Sequence, residues 1–358
     1  MQGSRVAAFD GWRAVCILMV ILGHLAEYSS VRGDGPLESV ISAYALLRVQ
    51  IFFVLCGYLT GCSLQREGRR GGRVHVMRFY VRRFMRVVPP LLVFVAAIVL
   101  MARQGLIDPE AVGVYRAIFY VCNVRDCGGY VGGHLWTLSA QEQFYILAPF
   151  LFIFYRIAPS RTTLALATFP LFVAAWVLAT RSPLSLVALQ FVPLAVGLLC
   201  AFYRDDLWRR CAEAPASSLA VAALLILVIY PAEGPLAVVA RAVLVPGLIA
   251  FMLAKSATVA PVNRFLSARP VAVIGRASYS IYLWQQLATY PFEGAGYAFY
   301  IGSLGLCIFA GVLSYALFER GLARLSDRAQ AWLGEPGPVF GWRPRATAAA
   351  LPAREQAH

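Results

Sequence analysis

Ten long apolar stretches constrain this chain more than any other feature of its sequence. A helix needs about 20 apolar residues to cross the roughly 30 Å hydrocarbon core of a bilayer, where unpaired backbone groups are costly. None of the stretches alternates with period two, as a barrel strand would. The predicted fold is therefore an all-α, polytopic membrane helical bundle with ten spans, at residues 12–30, 40–62, 87–103, 134–155, 163–180, 185–203, 216–231, 236–254, 270–290 and 296–318.

The composition excludes a soluble globule. Of the 358 residues, 60% are hydrophobic and 14% charged, and the mean hydropathy is +0.67, whereas soluble chains carry about a quarter charged residues. We interpret 1–331 as one membrane-embedded domain and the Pro-, Gly-, Ala- and Arg-rich segment 332–358 as a disordered cytoplasmic tail. The apolar stretch 114–123 is too short to span, and we interpret it as a re-entrant or interfacial helix.

The basic residues are distributed unevenly between the two sides of the predicted bundle. The chain has 32 Lys plus Arg and a net charge of +14, and most of these cations fall in connections on the same side as the N-terminus. By the positive-inside rule, both termini are cytoplasmic. The lipid bilayer thus accounts for the basic charge, and we predict no nucleic-acid partner.

Arg13 and His24 are polar residues within the first span, where such side chains are costly and are functional candidates. They lie eleven residues apart, which places both on one helix face about 16 Å apart along the axis. A ligand that touches both must therefore extend along the membrane normal. The structural alternatives are a helix-pairing imidazole and an arginine that snorkels to the headgroups.

A polar stripe in the fourth span is formed by Ser139, Glu142 and Gln143, which follow helical spacing. Such a stripe must face protein or water. Glu142 could serve a proton relay, orient an imidazole, or pair with an intramembrane arginine such as Arg48 or Arg276.

An arginine run leads into the third span. Arg78, Arg82, Arg83 and Arg86 are spaced so that several guanidinium groups share a helical face. Guanidinium forks bind phosphate bidentately, so the run is a candidate site for a phosphate-bearing donor. The alternative is a topology signal that binds anionic lipid headgroups.

The eight cysteines do not form a disulfide framework, because five lie in or beside apolar spans. Cys122 and Cys127 lie in an outer connection where oxidation is possible. We favour a disulfide between them over two unpaired thiols.

Several of these residues lie within motifs that follow one another along the chain. The motifs are Phe9-Asp10-Gly11-Trp12-Arg13 with His24, Phe52-Phe53-Val54-Leu55-Cys56-Gly57-Tyr58, Arg82-Arg83-Phe84-Met85-Arg86 before Pro89-Pro90, His134-Leu135-Trp136-Thr137-Leu138-Ser139 with Glu142-Gln143-Phe144-Tyr145, Gly275-Arg276-Ala277-Ser278-Tyr279-Ser280 through Trp284, and Phe318-Glu319-Arg320. In order and spacing, from the first span to the last, they resemble the acyltransferase 3 family of integral membrane proteins.

The resemblance implies an acyltransferase that moves an acyl group, commonly acetyl, from cytoplasmic acyl-CoA to a hydroxyl of a carbohydrate or glycosylated acceptor. It assigns His24 as the catalytic residue, and we predict Glu142 as a second catalytic residue. The donor, acyl-CoA, is assigned to Arg13, Arg82, Arg83 and Arg86, and no metal is expected. The implied location is a bacterial cytoplasmic membrane, crossed many times by the chain.

Three departures from the family pattern stand out. Cys56 occupies a position where the family usually has Ser, and Glu142 is the only acid left of a usual pair. Gln285 follows Trp284 where many members carry His, so a ninth-span imidazole plays no part here. We also expect no appended hydrolase-like domain after Phe318.

Other functions are compatible with the same residues. A carrier or flippase for a lipid-linked sugar also uses intramembrane Arg, His and Glu, and a non-enzymatic scaffold is the third hypothesis. The acceptor, the acyl chain and the oligomeric state are not readable from the sequence.

Overall fold

The computed structural model describes residues 7–30, 44–71, 76–108, 113–125, 127, 129–290, 297–316 and 321. Within these ranges the chain is helical and has no strand. The helices are α1 Ala7–Ser30, α2 Ala45–Gly71, α3 Val76–Arg103, α4 Val114–Ile118, α5 Gly129–Gly133, α6 Leu135–Ile157, α7 Pro159–Thr180, α8 Pro183–Phe202, α9 Arg204–Glu213, α10 Ser217–Ile229, α11 Pro235–Ser256, α12 Ala260–Leu266, α13 Arg269–Ala288 and α14 Tyr297–Ser314. The predicted tail at 332–358 and the motif Phe318-Glu319-Arg320 lie outside the described residues.

Each of the ten predicted spans contains a helix, but the helices differ in their ability to cross a membrane. Six are long and apolar enough: α1, α2, α3, α7, α8 and α11. The predicted seventh span is a 13-residue helix, α10, which meets α9 at a bend of 109°. Helices α6 and α13 carry too many polar side chains to qualify by hydropathy. The described part of the chain is thus an all-helical bundle with six clear candidate spans, and the ten-span topology stays a prediction.

Helices α2 and α8 run in the same direction and touch backbone to backbone. A Cβ added to Gly57 would lie 2.1 Å from the carbonyl oxygen of Leu194, and one added to Gly197 would lie 2.1 Å from that of Val54. One turn further along α2, Gly61 faces Ala201. Small residues at four-residue spacing permit this close approach of helices in membranes. The contact fixes α2, which forms one wall of the site described below.

Helix α1 is wedged between α2 and α13. The backbone of Gly275 on α13 touches the Asp10 carbonyl oxygen, where an added Cβ would lie 1.7 Å away. At the same end of α1, the Trp12 indole donates a hydrogen bond to Ser256 Oγ at 2.8 Å. These contacts hold the beginning of α1, so the face that carries Arg13 has a defined direction.

Helix α3 continues the arginine run directly into an apolar segment. Pro89 and Pro90 lie inside it and remove the backbone donors that would bond the carbonyls of Met85 and Arg86. Tyr279 on α13 donates a hydrogen bond to the neighbouring Val87 carbonyl oxygen at 2.7 Å. The arginine run thus lies on a helix, as we predicted.

Candidate functional site

An elongated cavity of about 590 Å³ lies between α1, α2, α3, α6 and α13. Its volume falls in the range of small-molecule sites, roughly 300–1,000 Å³. On α2, the lining positions extend from Arg48 to Arg66, eighteen residues that correspond to about 27 Å of helix rise. A ligand that filled the cavity would therefore lie along the bundle axis.

Arginine dominates the charge of this cavity. No Asp or Glu lines it among the described residues, whereas seven arginines do: Arg13, Arg48, Arg66, Arg82, Arg83, Arg86 and Arg276. Four of them are the residues predicted to bind the donor. We call this site the arginine cavity, and its charge and guanidinium forks suit a ligand with several phosphate groups.

Two of the lining arginines also pair with carboxylates outside the lining. Arg83 donates to Glu142 Oε1 from Nε at 3.1 Å and from Nη2 at 2.9 Å, and its guanidinium lies 3.4 Å from the centre of the Tyr145 ring. Arg82 pairs with Glu67. The partner of Glu142 is thus Arg83, and not Arg48 or Arg276, because α3 and α6 bring these two side chains together. Glu142 therefore lies beside arginines that we predicted to bind the donor.

His24 lies one turn beyond Val20, the last residue of α1 that lines the cavity, and is not itself a lining residue. Its Nδ1 is 2.7 Å from the amide oxygen of Gln285, a fully buried residue of α13. Because an amide oxygen only accepts hydrogen bonds, Nδ1 donates this one. Gln285, which stands where many family members carry His, therefore orients the His24 imidazole.

A second imidazole, His134, contacts Gln286, the chain neighbour of the glutamine that contacts His24. The Gln286 amide oxygen accepts a hydrogen bond from the His134 backbone N–H and contacts Nδ1 of the same residue. A backbone N–H can only donate, so the amide orientation is fixed and Nδ1 is also a donor. The His134 Nε2 lone pair is buried and has no hydrogen-bond partner among the described residues. Two successive glutamines thus hold two imidazoles through Nδ1.

The rest of the polar stripe on α6 holds the segment that precedes it. Ser139 Oγ accepts a hydrogen bond from the Cys122 backbone at 3.1 Å, and the Gln143 amide bonds the Asn123 side chain and the Tyr120 carbonyl oxygen. Cys122 and Cys127 form a disulfide, as we predicted. Ser139 and Gln143 are therefore structural, while Glu142 turns toward the cavity arginines.

Sequence reasoning missed the positions that only packing reveals. Arg48 and Arg276 were recognisable as charged residues inside spans, but nothing in the sequence placed them in the same cavity as Arg13. Gln286 carried no signal, and Gln285 was identified only as a departure from a family pattern. The glutamine contacts become visible once α1, α6 and α13 are known to meet.

Comparison with known proteins supplies the family. The chain matches the family model described as an acyltransferase domain over residues 6–319. It is 25% identical over 384 aligned residues to O-acetyltransferase OatA of Staphylococcus aureus strain MRSA252, covering 92% of this chain and 59% of OatA. OatA of strain NCTC 8325 / PS 47 is 25% identical over 377 residues, with 90% and 58% covered. This chain thus spans less than two thirds of either relative, and no solved structure matches it. Because the family model covers most of its length, the chain belongs to the acyltransferase 3 family.

Proposed function

We propose that this protein is a membrane O-acetyltransferase that takes the acyl group of cytoplasmic acyl-CoA, with acetyl as the expected group, and transfers it to a hydroxyl of a carbohydrate. The observation that carries the proposal is the elongated arginine cavity, whose lining on α1 ends one turn before His24, in a chain of an acyltransferase family. The proposal includes ten spans, both termini in the cytoplasm, and a place in a bacterial cytoplasmic membrane.

The donor phosphates bind at the end of the cavity nearer the beginning of α1. Arg13, Arg82 and Arg86 line this part, and Arg83 joins them while it remains paired with Glu142. Each guanidinium offers a fork of donors to phosphate oxygens. The remaining length of the cavity accommodates the extended arm that carries the thioester toward His24. In this arrangement Glu142 acts through Arg83, as a positioning residue.

His24 supplies the acid–base chemistry. Its Nε2 takes the proton of the acceptor hydroxyl as the hydroxyl oxygen attacks the thioester carbonyl carbon. The carbon–oxygen bond forms, the carbon–sulfur bond breaks, and His24 returns the proton to the departing CoA thiolate. Imidazole suits both steps because its ordinary pKa lies near neutrality. Gln285 keeps Nε2 available by holding Nδ1–H.

The relatives support the choice of acyl group and acceptor atom. Both OatA proteins are named O-acetyltransferases, which fits transfer of acetyl to a hydroxyl oxygen. The acceptor class, a carbohydrate such as an exopolysaccharide or O-antigen, follows from the family resemblance.

The test uses purified full-length protein in lipid nanodiscs with radiolabelled acetyl-CoA. We expect CoA release and label transfer to a glycan extract from the host cells, both absent in His24→Ala. Movement of a lipid-linked sugar without CoA release would instead support a carrier. Failure to bind acetyl-CoA at all would remove the donor assignment. Comparing surface-glycan acetylation with and without the gene then identifies the acceptor.

A further inference from the structure

Arg48 occupies a place in the arginine cavity that the donor phosphates do not explain. It lies in the first turn of α2, is 8% exposed, and lines the cavity. Arg66, at the other end of the lining on α2, is about 27 Å away by helix rise. Arg82 pairs with Glu67, which is about 28 Å along α2 from Arg48 by the same measure. Arg48 is therefore set apart from the arginines that receive the phosphates.

The guanidinium of Arg48 lies directly against the backbone of α1 at Gly23. A Cβ added to Gly23 would be 1.9 Å from Arg48 Nη1 and 2.7 Å from Cζ. Only glycine leaves this space open, and the next residue along α1 is His24. The cation and the proposed catalytic imidazole thus occupy neighbouring positions on the surface of α1.

Arg48 shares the cavity lining with a polar side chain of α13, Tyr282. The Tyr282 hydroxyl donates to the His134 carbonyl oxygen at 2.5 Å, so the network around His134 reaches the cavity that Arg48 lines. A negative charge that developed here during a reaction would meet a preformed cation in a buried site.

Acyl transfer produces such a charge. As the hydroxyl attacks, the carbonyl oxygen of the thioester becomes an oxyanion, and donors aimed at this oxygen stabilise the transition state more than the ground state. We propose that Arg48 is a catalytic residue whose guanidinium binds the carbonyl oxygen of the acyl donor. This inference rests on the proposed function. It also explains the glycine at position 23, because a larger residue would occupy the place of the guanidinium.

The experiment distinguishes a contact with the thioester carbonyl from a contact with the rest of the donor. Two quantities are measured for each variant in nanodiscs: kcat for acetyl transfer, and the affinity for CoA, which lacks the thioester carbonyl that would accept the hydrogen bond. Removing one oxyanion donor typically costs about 100-fold or more in kcat. We expect Arg48→Gln to lose about this much while its CoA affinity stays within about twofold of wild type. An equal loss of CoA affinity would instead make Arg48 a phosphate ligand and overturn the proposal.

Gly23→Ala tests the same contact without removing the arginine. The clash falls on the far end of a flexible side chain, so we expect the protein to fold and the guanidinium to move away from its place. Its kcat should fall about tenfold, a loss worth about 1.4 kcal/mol, and the double variant Gly23→Ala/Arg48→Gln should be no worse than Arg48→Gln alone. Gly247→Ala is the matched control, because an added Cβ there meets nothing within 4 Å.

The remaining outcomes are equally decisive. Normal kcat in Gly23→Ala or in Arg48→Gln would overturn the assignment of Arg48. If Arg48→Gln does not accumulate, Gly23→Ala decides alone: a lowered kcat at normal protein level supports the proposal. A wild-type protein that does not turn over acetyl-CoA would contradict the proposed function itself, which is a different result.

Discussion

Lys255 and Arg48 are both buried cations in this bundle, yet their surroundings differ. Lys255 is 3% exposed, and its Nζ donates to the carbonyl oxygens of Cys211 and Ala214, at 2.8 and 2.6 Å, where α9 ends. Arg48 borders a cavity whose described lining contains six further arginines and no carboxylate. The ammonium joins the end of α9 to α11, whereas the guanidinium lines a cavity. Burial alone therefore does not distinguish a structural cation from a candidate functional one; the space that the cation borders does.

The largest expected loss of activity is at His24, near the end of the cavity. His24→Ala should abolish transfer, a loss of more than about 1,000-fold, while the protein level stays near normal, because removing an imidazole from a span eases insertion. The measurement is label transfer from acetyl-CoA, normalised to folded protein. Leu22→Ala, an exposed neighbour on α1, serves as control and should keep its activity. Retained transfer in His24→Ala would end the acid–base assignment.

Glu142→Gln tests a residue that combines a structural ion pair with a place beside the arginine cavity. It leaves the Arg83 guanidinium without its carboxylate, and breaking such a pair costs about 3 kcal/mol when it is buried. We expect reduced thermal stability together with a large loss of transfer. The double variant Glu142→Gln/Arg83→Gln should recover part of the stability but not the activity. Recovery of both would make the pair purely structural.

Lys255→Ala should affect stability and leave the chemistry intact. It strips two carbonyls at the end of α9 of their donor, at a cost of about 2 kcal/mol, so we expect a lower melting temperature with unchanged transfer per folded molecule. Arg209→Ala is the control on α9, because its pair with Asp206 is exposed on both partners and contributes under about 1 kcal/mol. Lost transfer at full stability would contradict the structural role of Lys255.

The smallest expected effect concerns the donor arginines. Lysine keeps the charge of Arg86 but not its fork, so Arg86→Lys should weaken acetyl-CoA affinity about tenfold, or about 1.4 kcal/mol. Insertion and orientation should be normal, because lysine satisfies the positive-inside rule as well as arginine does. Arg103→Lys, at the exposed far end of α3, controls for the substitution. Equal affinity in both variants would return this run to the status of a topology signal.

The sequence was sufficient for the helical class, the family and the helical arginine run, because each is local or rests on motifs in order. It also suggested that Arg13 and His24 share a face, and in the structure Arg13 lines the cavity while His24 follows one turn beyond its end. The partner of Glu142 could not be predicted, since it depends on how α3 and α6 pack. The bend of 109° between α9 and α10 could not be predicted from hydropathy either, because a hydropathy profile contains no information on the direction of the chain. The catalytic and donor roles stay predictions.

The glycine contact between α2 and α8 has a consequence for how mutations along α2 would be tolerated. Gly57 and Gly61 face α8, while Arg48, Phe52 and Cys56 face the cavity at the same helical spacing. In a saturation scan of α2, we therefore expect protein abundance to fall along the first stripe and specific activity along the second. Both profiles would repeat about every 3.6 residues, and they would be out of phase. A single scan of one helix would thus separate the positions that are required for protein abundance from those that are required for activity.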